Sequence, residues 1–291
     1  MTTRILHISD LHVGKTEAEE WNLERIVKYI VKRDWEGSKP VVLITGDIVD
    51  DGKEQQFVLA RKLLDDLYTN NFIVLPIPGN HDYGRNGNHA MEKRFKYFKN
   101  EFYRMENVSY PHIKEINGHY FIGLNSMKAE TGFFEGLLAD GELGGRQIHD
   151  TLGVLKKLDD RPPEQKVILH LHHHPFLFPD EDTLTSIGEI VGHRLEDGED
   201  LMHKISGRVD FLLFGHEHRH LNFSSTKLSK KYRIPYIMSS GKSTESCVEY
   251  AVNEEGEADE NTKLKEGLLG RVIEIKNNGT CTVDTIEFSN A

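Results

Sequence analysis

Short apolar runs alternate with longer segments of helical periodicity along most of the chain. The runs cover residues 4–8, 41–44, 73–77, 167–169 and 211–214. Continuous apolar character of this kind is typical of strands that are covered on both faces. Between the runs, apolar residues recur at three- and four-residue spacing in the segments 21–31, 57–67, 91–102 and 148–158. The alternation predicts an α/β fold.

The C-terminal part has a different pattern. Residues 232–240, 247–252, 268–276 and 281–288 are typical of strands and have no helical segments between them. Asn277-Asn278-Gly279 is a hairpin turn signal between the last two. A second sheet packed on the first would accommodate these strands. We therefore expect an α/β fold with two packed β-sheets flanked by helices.

The domain organisation follows from length and punctuation. A chain of 291 residues is long enough for one large domain or two small ones. No internal repeat and no linker divides two cores, so the sequence predicts a single domain over residues 1–291. The segment 253–267 is acidic and polar with almost no apolar residues, and we expect it to be a mobile surface loop.

Composition limits the class of partner. The formal net charge of −11 argues against a protein that binds nucleic-acid backbones through a basic face. Two cysteines, Cys247 and Cys281, are too few for a disulfide framework and suggest free thiols in a reducing compartment. The N-terminal residues carry no signal-like apolar stretch. No segment approaches the roughly 20 apolar residues that span a membrane. These features predict a cytoplasmic protein without a membrane segment.

Potential metal ligands follow each of the five apolar runs directly. The segments are Asp10-Leu11-His12, Gly46-Asp47, Gly79-Asn80-His81-Asp82, His172-His173-His174-Pro175 and Gly215-His216-Glu217-His218. In open α/β sheets, ligand sites lie beyond the carboxyl ends of the strands. We therefore expect the five segments to converge at one edge, with enough oxygen and imidazole ligands for two metal ions.

The residue types in these segments suit a pair of ions. Asp10 and His12 are two residues apart, so a turn after the strand can direct both at one ion, and the pair in Gly215–His218 repeats this spacing. Asp47 has two carboxylate oxygens and can bridge two ions, while Asn80 offers a neutral amide oxygen. The absence of thiolate favours Mn²⁺, Fe or Zn²⁺. Two ions about 4 Å apart would bind a phosphate and generate a hydroxide at neutral pH.

At these residues the chain resembles the calcineurin-like metallophosphoesterase superfamily. Its pattern is D-x-H, G-D-x-x-D, G-N-H-[DE], H-x-P and G-H-x-H. This chain has Asp10-Leu11-His12, Gly46-Asp47-Ile48-Val49-Asp50, Gly79-Asn80-His81-Asp82, His173-His174-Pro175 and Gly215-His216-Glu217-His218 in the same order. A single motif of this set would be weak evidence, whereas the ordered set is specific.

The resemblance implies two ligand sets that share one carboxylate. One ion would be held by Asp10, His12, Asp47 and His218, and the other by Asp47, Asn80, His173 and His216. The family pattern places the ligand of the fourth motif two residues before the proline, hence His173. His172 and His174 remain alternatives, because a shift of one residue reverses the direction of the side chain.

The resemblance also implies roles around the phosphate. His81 would stabilise the charge of the transition state or protonate the leaving oxygen, and Asp82 would orient His81. For Asp50 we expect a turn or a hydrogen bond behind a ligand rather than direct ligation. Tyr83 and Arg85 follow the pair and could reach the substrate, with Arg85 suited to phosphate. A surface loop stabilised by Arg85 is the alternative.

The function implied is that of a metal-dependent phosphoric ester hydrolase. It would cleave a small phosphodiester or phosphomonoester by attack of a metal-bound hydroxide. A DNA or RNA nuclease shares much of the motif set, but the acidic balance and the lack of a basic patch argue against it. A catalytically silent metal-binding scaffold is a further alternative, and the retention of every motif ligand favours an enzyme over it. The sequence does not predict an oligomeric state.

Overall fold

The computed structural model describes residues 2–84, 92–104, 108–127, 141–176 and 195–288. In these ranges the chain forms two five-stranded sheets and one two-stranded sheet. The first sheet has the spatial order β12 (Cys281–Glu287), β11 (Leu269–Ile275), β1 (Thr3–Ile8), β2 (Val41–Thr45) and β3 (Val74–Ile77). The second has the order β4 (His112–Ile116), β5 (His119–Gly123), β6 (Val167–His170), β7 (Phe211–Phe214) and β8 (Tyr236–Ser239).

Each sheet has a parallel part and antiparallel additions. Strands β1, β2 and β3 are parallel, and so are β5 to β8. Strands β11, β12 and β4 are antiparallel to their neighbours. The third, two-stranded sheet is a hairpin of β9 (Cys247–Val252) and β10 (Ala258–Gly267). The carboxyl ends of the parallel strands bring their following loops to one edge of the molecule.

Eight helices lie in the described ranges. They are α1 (Glu17–Lys32), α2 (Glu54–Leu63), α3 (Asp65–Thr69), α4 (Asn80–Tyr83), α5 (Glu92–Tyr103), α6 (Gly144–Lys157), α7 (Gly198–Ile205) and α8 (Lys227–Tyr232). The longest, α1, begins at Thr16, whose side chain accepts a hydrogen bond from the Ala18 amide, and its first turn is acidic. The hydrogen bond satisfies one of the unpaired amides at the start of the helix, and the acidic side chains interact favourably with the helix dipole.

Three apolar cores define four layers. Strand residues such as Leu6 and Ile8 pack with α1, α2, α3 and α5, and a second core joins the other sheet to α6, α7 and α8. Ile5, which points to the opposite side of its strand from Leu6, lies in a third core with Phe121 and Ile168 of the second sheet. The two sheets therefore pack face to face between two helical layers. The expected fold class is confirmed.

Several elements differ from the expectation. The segment 253–267 is not a loop throughout, since a turn at Asn253 leads into β10, whose backbone pairs with β9. Most of β10 is exposed, so its charged side chains cost little free energy in the strand. The polar composition of the segment therefore did not exclude a strand. The expected strand over 232–240 is shorter, because α8 occupies its start, and the helix over 57–67 is divided into α2 and α3. The turn at Asn277-Asn278-Gly279 is confirmed.

Within the described ranges, no helix is both long enough and apolar enough to cross a membrane.

Candidate metal centre

The five motif segments meet where β1, β2, β3, β6 and β7 end. Backbone hydrogen bonds tie neighbouring loops together: Asp10 N donates to Gly46 O (3.1 Å) and His12 N to Asp47 O (2.9 Å). In the second sheet, Gly215 N likewise donates to His172 O over 3.1 Å, and His216 N donates to Asp10 Oδ2 over 3.2 Å between the two sheets. The loops therefore form one cross-linked platform, and their side chains are held relative to each other by backbone contacts.

Five of the expected ligands have left-handed backbone conformations. The φ angles are +54° at Asp10, +46° at His12, +50° at Asp47, +74° at His216 and +54° at His218. For residues other than glycine, such conformations cost of order 1–3 kcal/mol each and persist only where the surroundings enforce them. The turns after β1, β2 and β7 are thus strained at the positions of expected ligands.

Two motif glycines allow the loops to approach closely. A Cβ atom on Gly79 would collide with Asp47 and lie 2.8 Å from His172 Nε2. A Cβ atom on Gly46, whose φ is +92°, would collide with the ring of His172. Glycine is therefore required at both positions by the space that the neighbouring ligands occupy.

One group of potential ligands consists of Asp10, His12 and His218. Their ligand atoms lie within 4.8 Å of one another. The Nε2 atoms of His12 and His218 are 3.1 Å apart, and His218 Nε2 is 3.5 Å from Asp10 Oδ1. Asp10 and His12 are buried, whereas 43% of the His218 side chain is exposed. This group fits the first expected ligand set apart from Asp47.

A second group surrounds Asn80. His172 Nε2 lies 2.9 Å from Asn80 Oδ1 and 3.2 Å from His216 Nδ1. His173 turns its Nδ1 towards Ser126 Oγ at 2.7 Å and has its ring 4.4 Å from that of His216, and the ligand atoms of His172, His173 and His216 lie within 4.8 Å of one another. Of the neighbouring histidines, His172 is therefore the one beside Asn80. The expected ligand was His173, with His172 as an alternative. The third, His174, faces Glu217.

Asp47 lies between the two groups. One of its oxygens, Oδ2, is 3.4 Å from His172 Nε2 and 3.9 Å from His12 Nε2. The residue is 1% exposed. A single buried carboxylate thus reaches a ligand of either group, as the bridging position requires.

The protonation states reflect this arrangement. Burial opposes ionisation of Asp47, but the charges of His172 and His81 hold its pKa well below the ordinary value. Burial alone would lower the pKa of His172, but the charge and hydrogen bond of Asp47 raise it to about 9. His216 behaves oppositely, since burial and the neighbouring histidines His173 and His172 depress its pKa. These pKa shifts favour a protonated His172 beside an ionised Asp47, and a neutral His216.

The residues fit bound metal ions. Imidazole nitrogens of different loops face each other at 3.1 Å and 3.2 Å, around buried carboxylates. A neutral imidazole offers one acceptor nitrogen to a metal ion, and imidazole nitrogens that converge around carboxylates are typical of a metal site. The donor set of imidazole, carboxylate and amide oxygen suits Mn²⁺, Fe or Zn²⁺.

His81 is held at the mouth of the site by its neighbours. Its amide donates to Asp47 Oδ1 over 2.9 Å, and its Nδ1 lies 2.7 Å from the carbonyl oxygen of Asp50. The Asp50 carboxylate in turn lies 3.3 Å from His12 Nδ1. Asp50 therefore touches both His81 and an expected ligand, in agreement with the hydrogen-bonding role that its position in the motif suggested.

Asp82 has different contacts from those expected. Its two oxygens accept hydrogen bonds from the amides of Val49 and Gly79, each over 2.9 Å, and the residue is fully buried. Burial and the nearby charge of Asp47 raise the pKa of Asp82 to about 7. Its oxygens join the loop after β2 to the loop after β3, while the atom beside the His81 ring belongs to Asp50. The orientation of His81 expected from Asp82 is therefore supplied by Asp50.

Comparison with known proteins identifies the family of the chain. The family model for calcineurin-like phosphoesterases matches residues 3–220. The chain belongs to this family. No curated protein matches the chain with statistical significance.

Solved structures share the fold at low sequence identity. A purple acid phosphatase from yellow lupin seeds has a TM-score of 0.63 and 13% identity, over 100% of this chain and 52% of the lupin chain. The chain thus spans about half the length of that phosphatase. GAP50, described as the anchor in the inner membrane complex of Plasmodium, has a TM-score of 0.62 and 12% identity, over 99% and 85% of the two chains. Phosphopantetheinyl hydrolase from Mycobacterium tuberculosis has a TM-score of 0.50 and 16% identity, over 82% and 89%.

Two further residues were named from the sequence, Tyr83 and Arg85. Tyr83 of this calcineurin-like phosphoesterase is fully buried, with its ring 4.1 Å from that of Phe95 and 6.0 Å from that of Phe98. It belongs to the apolar core and not to a substrate surface. Arg85 lies outside the described residues. Ser126, which contacts His173, was not recognised because the strand before it, β5, was not recognised either.

Proposed function

We propose that this calcineurin-like phosphoesterase uses two metal ions to hydrolyse a small phosphodiester or phosphomonoester. The observation that supports the proposal most directly is the position of Asp47, whose Oδ2 lies within 3.9 Å of His12 Nε2 and 3.4 Å of His172 Nε2. A buried carboxylate between two groups of imidazoles is what a pair of ions would share.

The proposed ligand sets follow the contacts. They are Asp10, His12, Asp47 and His218 for one ion, and Asp47, Asn80, His172 and His216 for the other. His172 replaces His173 in the second set because its Nε2 faces both Asn80 and Asp47. When bound, the ions would polarise the phosphate and lower the pKa of a water molecule. The side chains of the protein would position the phosphate and supply a proton donor.

His81 is the proposed proton donor. The carbonyl oxygen of Asp50 can only accept, so the contact over 2.7 Å assigns a hydrogen to His81 Nδ1. Proton exchange with the leaving oxygen then belongs to Nε2. The His81 side chain is 24% exposed, which gives a substrate access to it. The amide bond to Asp47 fixes the residue relative to the bridging carboxylate.

The substrate class rests on charge. With a formal net charge of −11, long-range attraction of a nucleic-acid backbone is opposed, so a small ester is favoured over a polynucleotide. A silent scaffold would retain the fold without catalysing a reaction. The same fold occurs in GAP50, which is described as an anchor. The complete set of ligand positions in this chain favours catalysis.

The test is hydrolysis of bis-(p-nitrophenyl) phosphate and p-nitrophenyl phosphate by metal-stripped protein with and without Mn²⁺. We expect turnover that depends on added metal and is lost in Asp47→Asn. Asp159→Asn is a matched control, since Asp159 is a surface partner of Arg208 with 38% side-chain exposure. Measured metal binding without turnover of either ester, with Mn²⁺, Fe²⁺ or Zn²⁺, would support the scaffold instead.

A further inference from the structure

We propose that a cleft beside His218 binds the organic group that the phosphate retains during hydrolysis, and that this group carries a flat ring of nucleoside size. The inference rests on the proposed function, because it assigns the substrate of the same centre. It identifies Tyr250 as a specificity-determining residue. The cleft has a volume of 440 Å³, within the range of about 300–1,000 Å³ that is usual for organic ligands.

The cleft begins at the metal centre. His218 forms part of its wall, and the same side chain lies 3.5 Å from Asp10 and 3.1 Å from His12. A phosphate held by this group would have its substituent at the cleft entrance. The volume is much larger than a phosphate needs, which leaves room for an attached group.

The outer wall is the hairpin of β9 and β10. Val248 and Tyr250 line the cleft, whereas Glu249, which lies between them in the strand, is buried on the other side. Glu249 Oε1 accepts from Arg271 Nη1 over 2.9 Å, and Arg271 Nε donates to Ser239 O over 3.1 Å. Arg271 thus joins the hairpin to β11 and β8, so the wall is anchored to both sheets.

The inner side of the cleft is fixed to the metal loops. Lys242 lines the cleft and pairs with Glu19 and Glu245, each over 2.7 Å. The adjacent Ser243 amide donates to Ser9 O over 3.0 Å, and Thr244 Oγ1 donates to Leu11 O over 3.0 Å. Because the loop after β8 is bonded to the loop after β1, the cleft and the proposed metal site keep one relative position.

The lining indicates the chemistry of the ligand. Charged lining residues are balanced, with Arg219 and Lys242 opposed by Glu245 and Glu260. Such a wall offers no net attraction for a second phosphate and so favours an uncharged group. Apolar surface comes from Val248, Tyr250, Leu221 and Ala258. An aromatic residue beside aliphatic ones is suited to stacking with a flat ring.

The position of His81 indicates which side of the ester enters. His218 faces Nε2 of His12, whereas His81 contacts Asp50, which lies on the Nδ1 side of His12. His81 and His218 fall in different groups of closely spaced polar side chains, which share His12. In an in-line displacement, the proton donor belongs with the leaving oxygen. The cleft at His218 is therefore assigned to the retained group.

The cleft also lies largely outside the part of the chain shared with the family. The family model matches residues 3–220, whereas Lys242, Tyr250 and the hairpin follow it. The metal ligands all fall inside the matched range. The proposed metal centre is thus formed by residues matched to the family, and most of the cleft wall is formed by residues that follow them.

The test compares two esters with the same leaving group, thymidine 5′-(p-nitrophenyl phosphate) and methyl p-nitrophenyl phosphate. We expect kcat/KM of the Mn²⁺-loaded enzyme to be about tenfold higher or more for the thymidine ester, given usual stacking contributions. Tyr250→Ala should remove this preference by raising KM for the thymidine ester much more than for the methyl ester. Tyr250→Phe should retain it, and Val248→Trp, which fills the cleft, should lose it.

Leu264→Ala is the matched control, because Leu264 is on the same hairpin, is 59% exposed and does not line the cleft. Equal kcat/KM for the two esters in the wild type, or equal losses for both in Tyr250→Ala, would overturn the proposal. If neither ester is hydrolysed, the proposed function fails. Thymidine binding by saturation-transfer NMR then decides the cleft, with binding lost in Tyr250→Ala supporting it and no binding refuting it.

Discussion

The Nε2 atom of His172 lies 2.9 Å from the Oδ1 atom of Asn80. The other ring nitrogen, Nδ1, lies 2.7 Å from the carbonyl oxygen of Thr45, which can only accept a hydrogen bond. That contact assigns a hydrogen to Nδ1 and directs Nε2 at Asn80 and Asp47. A backbone carbonyl behind a histidine ligand is the usual way in which proteins fix its tautomer and orientation.

Exchange of single histidines distinguishes the ligand from its neighbour. We expect His172→Ala to lose one of two bound ions, because it removes the imidazole shared by Asn80 and Asp47. His173→Ala should retain both, since His172 is the histidine that contacts Asn80 and Asp47. Elemental analysis of the two purified variants measures the difference. Loss of metal in His173→Ala with full occupancy in His172→Ala would reverse the assignment.

His81→Ala should retain its metal and lose rate. If His81 Nε2 donates a proton to the leaving oxygen, kcat should fall by a factor of about 10² to 10⁴. The loss should be larger for an alkyl leaving group than for p-nitrophenolate, which departs without help. Steady-state rates with both kinds of ester, together with metal content, test this. Loss of metal from the variant would instead make His81 a ligand.

Metal binding should release protons near neutral pH. Burial lowers the pKa of His172, but Asp47 raises it overall to about 9, so the metal-free residue is protonated at pH 7. Coordination requires the neutral ring. Apparent Mn²⁺ affinity should therefore rise with pH up to about 9 and level off above it.

Calorimetry in buffers of different ionisation enthalpy checks the proton release, with His172→Ala as the comparison. In the metal-free protein, the same shift stabilises the fold below the ordinary pKa of 6.5, and this contribution is lost as pH rises through about 9. A binding enthalpy independent of the buffer would contradict the proton release.

Arg271→Ala should destabilise the fold strongly. Arg271 is 1% exposed and pairs with Glu249, which is 6% exposed. Removal of one partner leaves a buried carboxylate without its cation, a change that typically costs about 3–5 kcal/mol. Arg208→Ala is the control, because its pair with Asp159 is at the surface and should contribute about 1 kcal/mol or less. Urea unfolding measures the loss in free energy of unfolding for both variants. Equal losses would refute the prediction.

Much of the fold was accessible from the sequence because its signals are local. Apolar runs such as 41–44 and 211–214 predicted central strands, and ligands placed directly after them predicted the edge at which they meet. The hairpin at Asn277-Asn278-Gly279 has turn chemistry of its own. Strand β4 was missed, since it is mostly exposed and carries charged residues, so neither periodicity nor an apolar run marks it.

The candidate site was predictable in composition but not in direction. The His172-His173-His174 run holds identical side chains, and only the contacts with Asn80, Ser126 and Glu217 distinguish them. Asp82 was expected beside His81 because the two are adjacent in sequence. In the first turn of α4, however, its carboxylate reaches back to the Gly79 amide, as capping residues do.

The bridging role of Asp47 is tested most directly by counting Mn²⁺ ions bound per chain in the wild type and in Asp47→Asn. Equilibrium dialysis gives the number and affinity, and electron paramagnetic resonance shows whether the bound ions are magnetically coupled. We expect two coupled ions in the wild type and weakened binding of both in the variant, because one carboxylate serves the two groups. Two ions bound by Asp47→Asn with wild-type affinity would contradict it.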